Sequence, residues 1–155
     1  MDKNKKLNIA DLSIFKNSAF ITKTPQETRV LAKKFASILK SGDIVFLNGN
    51  LGSGKTTFSQ GITQFFGNTG FARSSSFMLV NEYQAFDSFK LFHIDLYRLK
   101  KTSIFDIGIE EYLYSKNISL IEWPQRLSDG ENENHWDITI ENLINKRKIK
   151  IQKKK

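Results

Sequence analysis

Gly49-Asn50-Leu51-Gly52-Ser53-Gly54-Lys55-Thr56 satisfies every fixed position of the pattern G-x-x-x-x-G-K-[ST]. The chemistry such a segment supports is the holding of phosphate. Backbone N–H groups curl around the anion, and the positive end of a following helix adds to their pull. Gly49, Gly52 and Gly54 permit the curl, because a Cβ would obstruct the backbone or the approach of the phosphate. By position, Lys55 reaches the β- and γ-phosphates as a point charge, and the Thr56 hydroxyl ligates Mg²⁺. The alternative is a glycine-rich turn with a chance Gly-Lys-Thr. The strand before the segment and the helix after it argue against that.

Hydrolysis asks for more than a phosphate cradle: a second grip on Mg²⁺ and a group that orients water. Two carboxylates close apolar runs. Leu91-Phe-His-Ile-Asp95 ends in Asp95, the arrangement expected of a Walker B aspartate bonded to Mg²⁺ directly or through water. Ile118-Ser-Leu-Ile-Glu122 ends in Glu122, placed to polarise water. Each has a plain structural reading as well, a turn aspartate and an exposed strand-end glutamate.

The elements that must carry these residues follow from patterning. Thr24-Pro-Gln-Glu27 reads as a helix start, with Thr24 as N-cap and Pro25 at the first helical position, and the helix is expected to reach about Leu39 before Ser41-Gly42. Asp43 to Asn48 reads as a buried strand and Thr56 to Phe66 as a helix stopped by Gly67. Phe77–Ala85 and Phe89–Tyr97 suggest a hairpin around Phe86-Asp-Ser88, and Ser103 to Leu113 a short helical connection. A buried strand over Ile118–Glu122 stops at Pro124. Ser128 to Asn134 reads as a polar loop, and His135–Leu143 with Arg147–Gln152 as a second hairpin joined through Asn145-Lys146. The expected fold is an α/β, three-layer, P-loop NTPase-like domain with a mixed central sheet and β-hairpins at its edge, one domain over residues 1–155.

At 155 residues, with 39% hydrophobic and 26% charged residues, the chain has material for one core. The absence of cysteine excludes disulfides, thiolate metal sites and cysteine nucleophiles. Met1 to Leu12 has no signal-peptide core, and no stretch approaches the roughly 18 apolar residues of a membrane span, so cytoplasmic residence is the expectation. A formal charge of +8 suits a phosphate-bearing partner such as nucleic acid, but it is read equally well as a general lysine bias, with Lys146 to Lys155 in part a solvated basic tail.

Four strings go further: Gly49-Asn-Leu-Gly-Ser-Gly-Lys-Thr-Thr57, Leu79-Val-Asn-Glu-Tyr83, His93-Ile-Asp-Leu-Tyr-Arg-Leu99 and Ile121-Glu-Trp-Pro-Gln-Arg-Leu127. In order and spacing they resemble the bacterial TsaE (YjeE) ATPases over about residues 22 to 127, and Ile107-Gly-Ile-Glu-Glu-Tyr112 resembles that family's segment between the last two motifs. The resemblance implies a part in forming the threonylcarbamoyl group on adenosine 37 of tRNA. It implies an accessory ATPase using ATP and Mg²⁺, acting on a transferase subunit and its inactive paralogue and reaching tRNA through that complex. Carried over residue by residue, Lys55 is the phosphate-binding lysine, Thr56 a Mg²⁺ ligand, Asp95 the Walker B aspartate and Glu122 the catalytic glutamate, also at the metal. Asn50, Leu51, Ser53 and Thr57 complete the nucleotide loop. Trp123 is the tryptophan beside the glutamate, with packing as its alternative use. His93 is similar to a family position but reads as a structural histidine, and residues near Thr24 to Thr28 would lie by the base. Two departures stand out: Gly49-Asn50 where the family has Gly-Asp, and Ser74-Ser75-Ser76 where it has Ser-Pro-Thr. They bear on turnover and on coupling to partners.

Two other functions fit a phosphate loop. A small-molecule or nucleoside kinase would need an acceptor site and an arginine-bearing lid, and no such insertion is visible. A nucleotide-dependent binding module would keep the loop without hydrolysis. A GTPase is disfavoured, since Asn145-Lys146-Arg147-Lys148 lacks the final acid of the guanine-selecting motif.

Overall fold

The computed structural model describes residues 13–68, 80–85, 89–103, 105–128 and 134–155. In chain order the elements are β1 (Ser18–Thr22), α1 (Pro25–Ala36), β2 (Ile44–Asn48), α2 (Lys55–Phe65), β3 (Val80–Gln84), β4 (Lys90–Asp95), α3 (Glu110–Leu113), β5 (Ile118–Glu122), a 3₁₀ turn (Pro124–Arg126), β6 (His135–Leu143) and β7 (Lys146–Lys154). The seven strands form one mixed sheet in the order β1-β7-β6-β2-β5-β4-β3. The parallel pairs β2–β6, β2–β5 and β4–β5 make its middle, with antiparallel β3–β4 at one edge and β6–β7–β1 at the other. This is the expected mixed sheet with hairpins at its edges.

Burial explains the runs that read as central strands. Every residue of β5 is buried, as are the first four of β2, because both faces of the middle strands are covered. On one face α1 and α2 pack through Phe35, Phe58 and Ile62 against Val45, Leu47, Leu120 and Ile138. On the other, Ile44, Phe46, Phe92, Ile94 and Ile121 meet Leu96, Ile109, Leu113 and Leu127, a thinner third layer built mostly of turns. Gly61 sets the spacing of the two helices. A Cβ there would come within 2.6 Å of both the Ala32 Cβ and the Arg29 carbonyl oxygen.

The start of α1 is capped as its sequence predicts: the Thr24 hydroxyl accepts from the Glu27 N–H at 3.1 Å, and Pro25 opens the first turn. The regular helix ends at Ala36, and two tighter i→i+3 bonds carry the chain on to Leu39.

Three expectations are corrected. The helical connection expected over Ser103–Leu113 is helix only at Glu110–Leu113; Gly108, with φ +68, breaks any longer run. The hairpin strand expected over Arg147–Gln152 is present but longer, β7 running Lys146–Lys154 between β6 and β1 with Ile149 and Ile151 fully buried, so the part of Lys146–Lys155 expected to be a solvated tail is mostly strand. The lysines alternate with these isoleucines, so one strand is both basic and anchored. The turn of that hairpin falls at Ile144-Asn145, Asn145 taking φ +57, one residue earlier than the sequence suggested. β1 itself had no counterpart in the sequence reading. The start of the Phe77–Ala85 strand, its Phe86–Ser88 turn, the Ser74–Ser76 departure and most of the Ser128–Asn134 loop lie outside the described residues.

Candidate active site

β2 delivers the chain to Gly49 and α2 carries it away from Lys55, so the loop between them lies at the carboxyl ends of the parallel strands. Gly52 (φ +75) and Gly54 (φ +112) take left-handed conformations, and Gly54 is the N-cap of α2 with no side-chain cap of its own. The uncapped amides at this end of α2 are the donors an anion would use. Ser53, 1% exposed, holds a hydroxyl with no hydrogen-bond partner inside the loop. Leu51 lies at the exposed tip.

Lys55 is buried in this loop. Its ammonium donates to the carbonyl oxygens of Gly49 at 2.8 Å and Asn50 at 3.0 Å, and lies 4.3 Å from the centre of the Trp123 ring. Burial pushes its pKa below the ordinary lysine value of 10.5, against the raising effect of the Glu122 and Asp95 carboxylates. Those two carboxylates are what brings the sequence-predicted site together. Asp95 and Glu122 are register partners on the neighbouring parallel strands β4 and β5. Both share strand parity with residues buried beneath the helices, Leu91 for Asp95 and Ile118 and Leu120 for Glu122.

Their settings differ. Asp95 is partly exposed and its Oδ1 accepts from the Tyr97 N–H at 2.9 Å, which fixes the carboxylate at the strand end. Glu122 is 3% exposed, and its Oε1 takes His93 Nε2 at 2.8 Å, with the Ser59 hydroxyl, whose one proton is shared with the Lys55 carbonyl at 3.1 Å, 3.3 Å away. A carboxylate only accepts, so the His93 Nε2–H donates to it; His93 Nδ1 is buried with no partner. Ser59 lies one helical turn beyond Lys55, so the same face of α2 supplies the phosphate-site cation and a bond to the glutamate.

Trp123 follows Glu122 in a left-handed conformation, φ +61, which turns the ring back over Lys55 and against Tyr97, 5.0 Å between centroids. Trp123 thus packs on both the Lys55 ammonium and the Tyr97 ring. Thr56 and Thr57 continue the first turn of α2, both partly buried.

Glycine amides, a helix N-terminus and a buried ammonium match a polyphosphate chain. The Thr56 hydroxyl and Asp95 carboxylate are hard oxygen donors of the kind Mg²⁺ takes in ones and twos beside phosphate oxygens and water. Glu122, its Oε1 fixed by His93 on the strand next to Asp95, is a carboxylate of the kind that can orient a water.

Four contributors were not in the sequence-predicted set. His93 was read as structural, though two residues before Asp95 on one strand it must share that residue's face. Ser59 shows the i+4 spacing from Lys55. Tyr97 lies within the string His93–Leu99 but was given no role, and Arg147, whose Nε donates to the Ser53 carbonyl at 3.0 Å, carries no local signal.

Comparisons with known proteins identify the family and the fold. A family model described as "Threonylcarbamoyl adenosine biosynthesis protein TsaE" matches residues 22–149. Among curated relatives, each named tRNA threonylcarbamoyladenosine biosynthesis protein TsaE, that of Bacillus subtilis is 34% identical over 77% of this chain and 74% of its own. That of Rickettsia bellii is 43% identical over 70% and 76%, and that of Aquifex aeolicus 36% over 86% and 95%. The crystal structure of Bacillus subtilis YdiB superposes with a TM-score of 0.72 at 30% identity, covering 88% of this chain and 84% of that one, in keeping with a P-loop NTPase-like fold. With the family model matching residues 22–149 and relatives similar over most of their length, this chain belongs to the TsaE family.

Proposed function

We propose that the chain is a Mg²⁺-dependent ATPase that serves threonylcarbamoyladenosine formation on tRNA as an accessory to a transferase subunit and its inactive paralogue, in the cytoplasm. The observation that carries the reading is the convergence of Lys55, Asp95 and Glu122 at one end of the parallel strands, with both carboxylates acting on the Lys55 charge. Family membership supports the tRNA pathway.

In this reading the amides from Gly52 to Lys55 and the Lys55 ammonium bind and orient the β- and γ-phosphates. Mg²⁺, when bound, would neutralise phosphate charge and align the terminal group for attack, with Thr56 and Asp95 holding it. Glu122 orients a water and accepts its proton. His93 and Ser59 hold the glutamate oxygen in place, and Trp123 covers the lysine and excludes solvent.

A glutamate whose Oε1 already accepts from His93 and that is 3% exposed is poorly placed to meet bulk water, so slow turnover by the isolated chain and acceleration in the complex are expected. The same observation favours the binding-module alternative if no partner accelerates turnover. The test is calorimetric titration of ATP with Mg²⁺ into the chain and into its Lys55→Ala variant. Saturable binding that the variant loses supports the reading. Equal affinity of the two proteins would remove Lys55 and the loop from it.

A further inference from the structure

Arg147 is the second residue of β7, and β7 is the middle strand of the antiparallel edge: Arg147 is the register partner of Thr22 in β1 and of Asn142 in β6. Its guanidinium leaves this framework toward the phosphate loop. Nε donates to the Ser53 carbonyl at 3.0 Å and Nη1 to the Lys146 carbonyl at 3.3 Å. The Ser53 contact joins residues 94 apart in sequence.

A loop that grips an anion with N–H groups must turn carbonyl oxygens away from it. Within one planar trans peptide the C=O and the next N–H point in opposite directions. Holding the Ser53 oxygen therefore fixes the Gly54 N–H, at the N-cap of α2 where free amides meet an anion. This peptide, like the one that precedes Gly52, is not held by its own side chain. Gly54 has φ +112 with no Cβ to restrict it, and a Cβ placed on it would meet nothing within 4 Å, so surrounding atoms do not constrain it either.

We propose that Arg147 is a positioning residue of the phosphate site, aiming the Gly54 amide by pinning the Ser53 carbonyl and so tying the C-terminal hairpin to nucleotide binding. The inference rests on the phosphate-site reading above and adds to it a specific donor and a specific peptide.

Side-chain length supplies the test. Glutamine places its Nε2 the same number of atoms from Cα as the arginine Nε, without charge. Lysine keeps the charge but carries its nitrogen one atom farther, and methionine keeps length without a donor. Affinity for inorganic triphosphate is measured by calorimetry for Arg147→Gln, Arg147→Lys and Arg147→Met, with the Gly54 amide ¹H–¹⁵N shift recorded in each free protein. Arg147→Gln should bind within about threefold of wild type and keep the Gly54 shift, while Arg147→Met should bind roughly tenfold more weakly, the scale of one hydrogen bond to a charged group, and move that shift. Arg147→Lys should fall between them.

Wild-type affinity in Arg147→Met would overturn the proposal. So would retention by Arg147→Lys with loss by Arg147→Gln, which makes the charge alone responsible. If the methionine variant does not fold, the glutamine and lysine variants still decide by their order. A wild-type chain that binds no triphosphate would sink the phosphate-site reading instead, while the Gly54 shift, read without ligand, would still report whether Arg147 aims that amide.

Discussion

His93 Nε2 lies 2.8 Å from Glu122 Oε1, on adjacent parallel strands, with each residue 3% exposed. Removing one partner strands the other in a site where water is scarce. His93→Ala should lower stability by about 1–3 kcal/mol, the cost of an unsatisfied buried acceptor with some lost packing. Glu122→Ala in that background should add less than it does alone, because the interaction it would break is already gone. Urea midpoints of the four proteins test this, and simple additivity would show that the pair is not coupled.

Lys55→Met should separate binding from stability. The fold lowers the Lys55 pKa through burial, so at neutral pH the ammonium is held charged at a net cost to folding that methionine does not incur. The ammonium's contact with the Trp123 ring is lost together with the charge. Triphosphate affinity should fall by about 100-fold with the loss of a charge-assisted contact. The thermal midpoint should stay level or rise. A clear drop in midpoint would show that the bonds to Gly49 and Asn50 outweigh burial.

Much of this site was legible because it is written in local spacing. The phosphate loop, the Thr24 cap and the buried run Ile118–Glu122 each need only neighbours in sequence to be read, and the structure reproduces β5 residue for residue. What sequence could not supply is pairing across distance. β1 has no clean alternation of apolar residues and pairs with β7, while β7, legible as a hairpin strand over Arg147–Gln152, runs on to Lys154 through lysines that had read in part as a tail. The hydrogen bonds of Glu122 to His93 and of Ser53 to Arg147 depend on strand order, which no motif contains. Trp123 was visible as a residue, but its direction comes from a left-handed backbone that a tryptophan rarely adopts.

Two glycines should be intolerant for different reasons. Gly61→Ala lies inside α2, where alanine is ordinarily favoured by about 1 kcal/mol. Here the added Cβ meets the Arg29 carbonyl at 2.6 Å, and overpacking of about 1–3 kcal/mol should win, lowering stability while leaving nucleotide affinity in the surviving folded protein unchanged. Gly49→Ala would meet the Ser53 hydroxyl and, at 2.6 Å, the Ile140 carbonyl, and should damage affinity as well. Paired melting and titration measurements separate the two; lost affinity in both would mean that helix packing shapes the loop.

Asp95→Asn keeps an oxygen that can accept from Tyr97 N–H but removes the charge offered to a cation. The Mg²⁺ concentration for half-maximal turnover should rise by about tenfold, with nucleotide affinity measured without Mg²⁺ little altered. An unchanged Mg²⁺ requirement would take Asp95 out of the metal site.

The central claim is tested most directly by ATP hydrolysis with Mg²⁺, measured with and without the transferase subunit, its paralogue and tRNA, for the wild-type chain and Glu122→Gln. The account predicts slow turnover alone, stimulation by the complex, and loss of about 100-fold or more in the variant with binding retained. Hydrolysis that survives Glu122→Gln, or phosphate passing to a small acceptor in place of water, would contradict it.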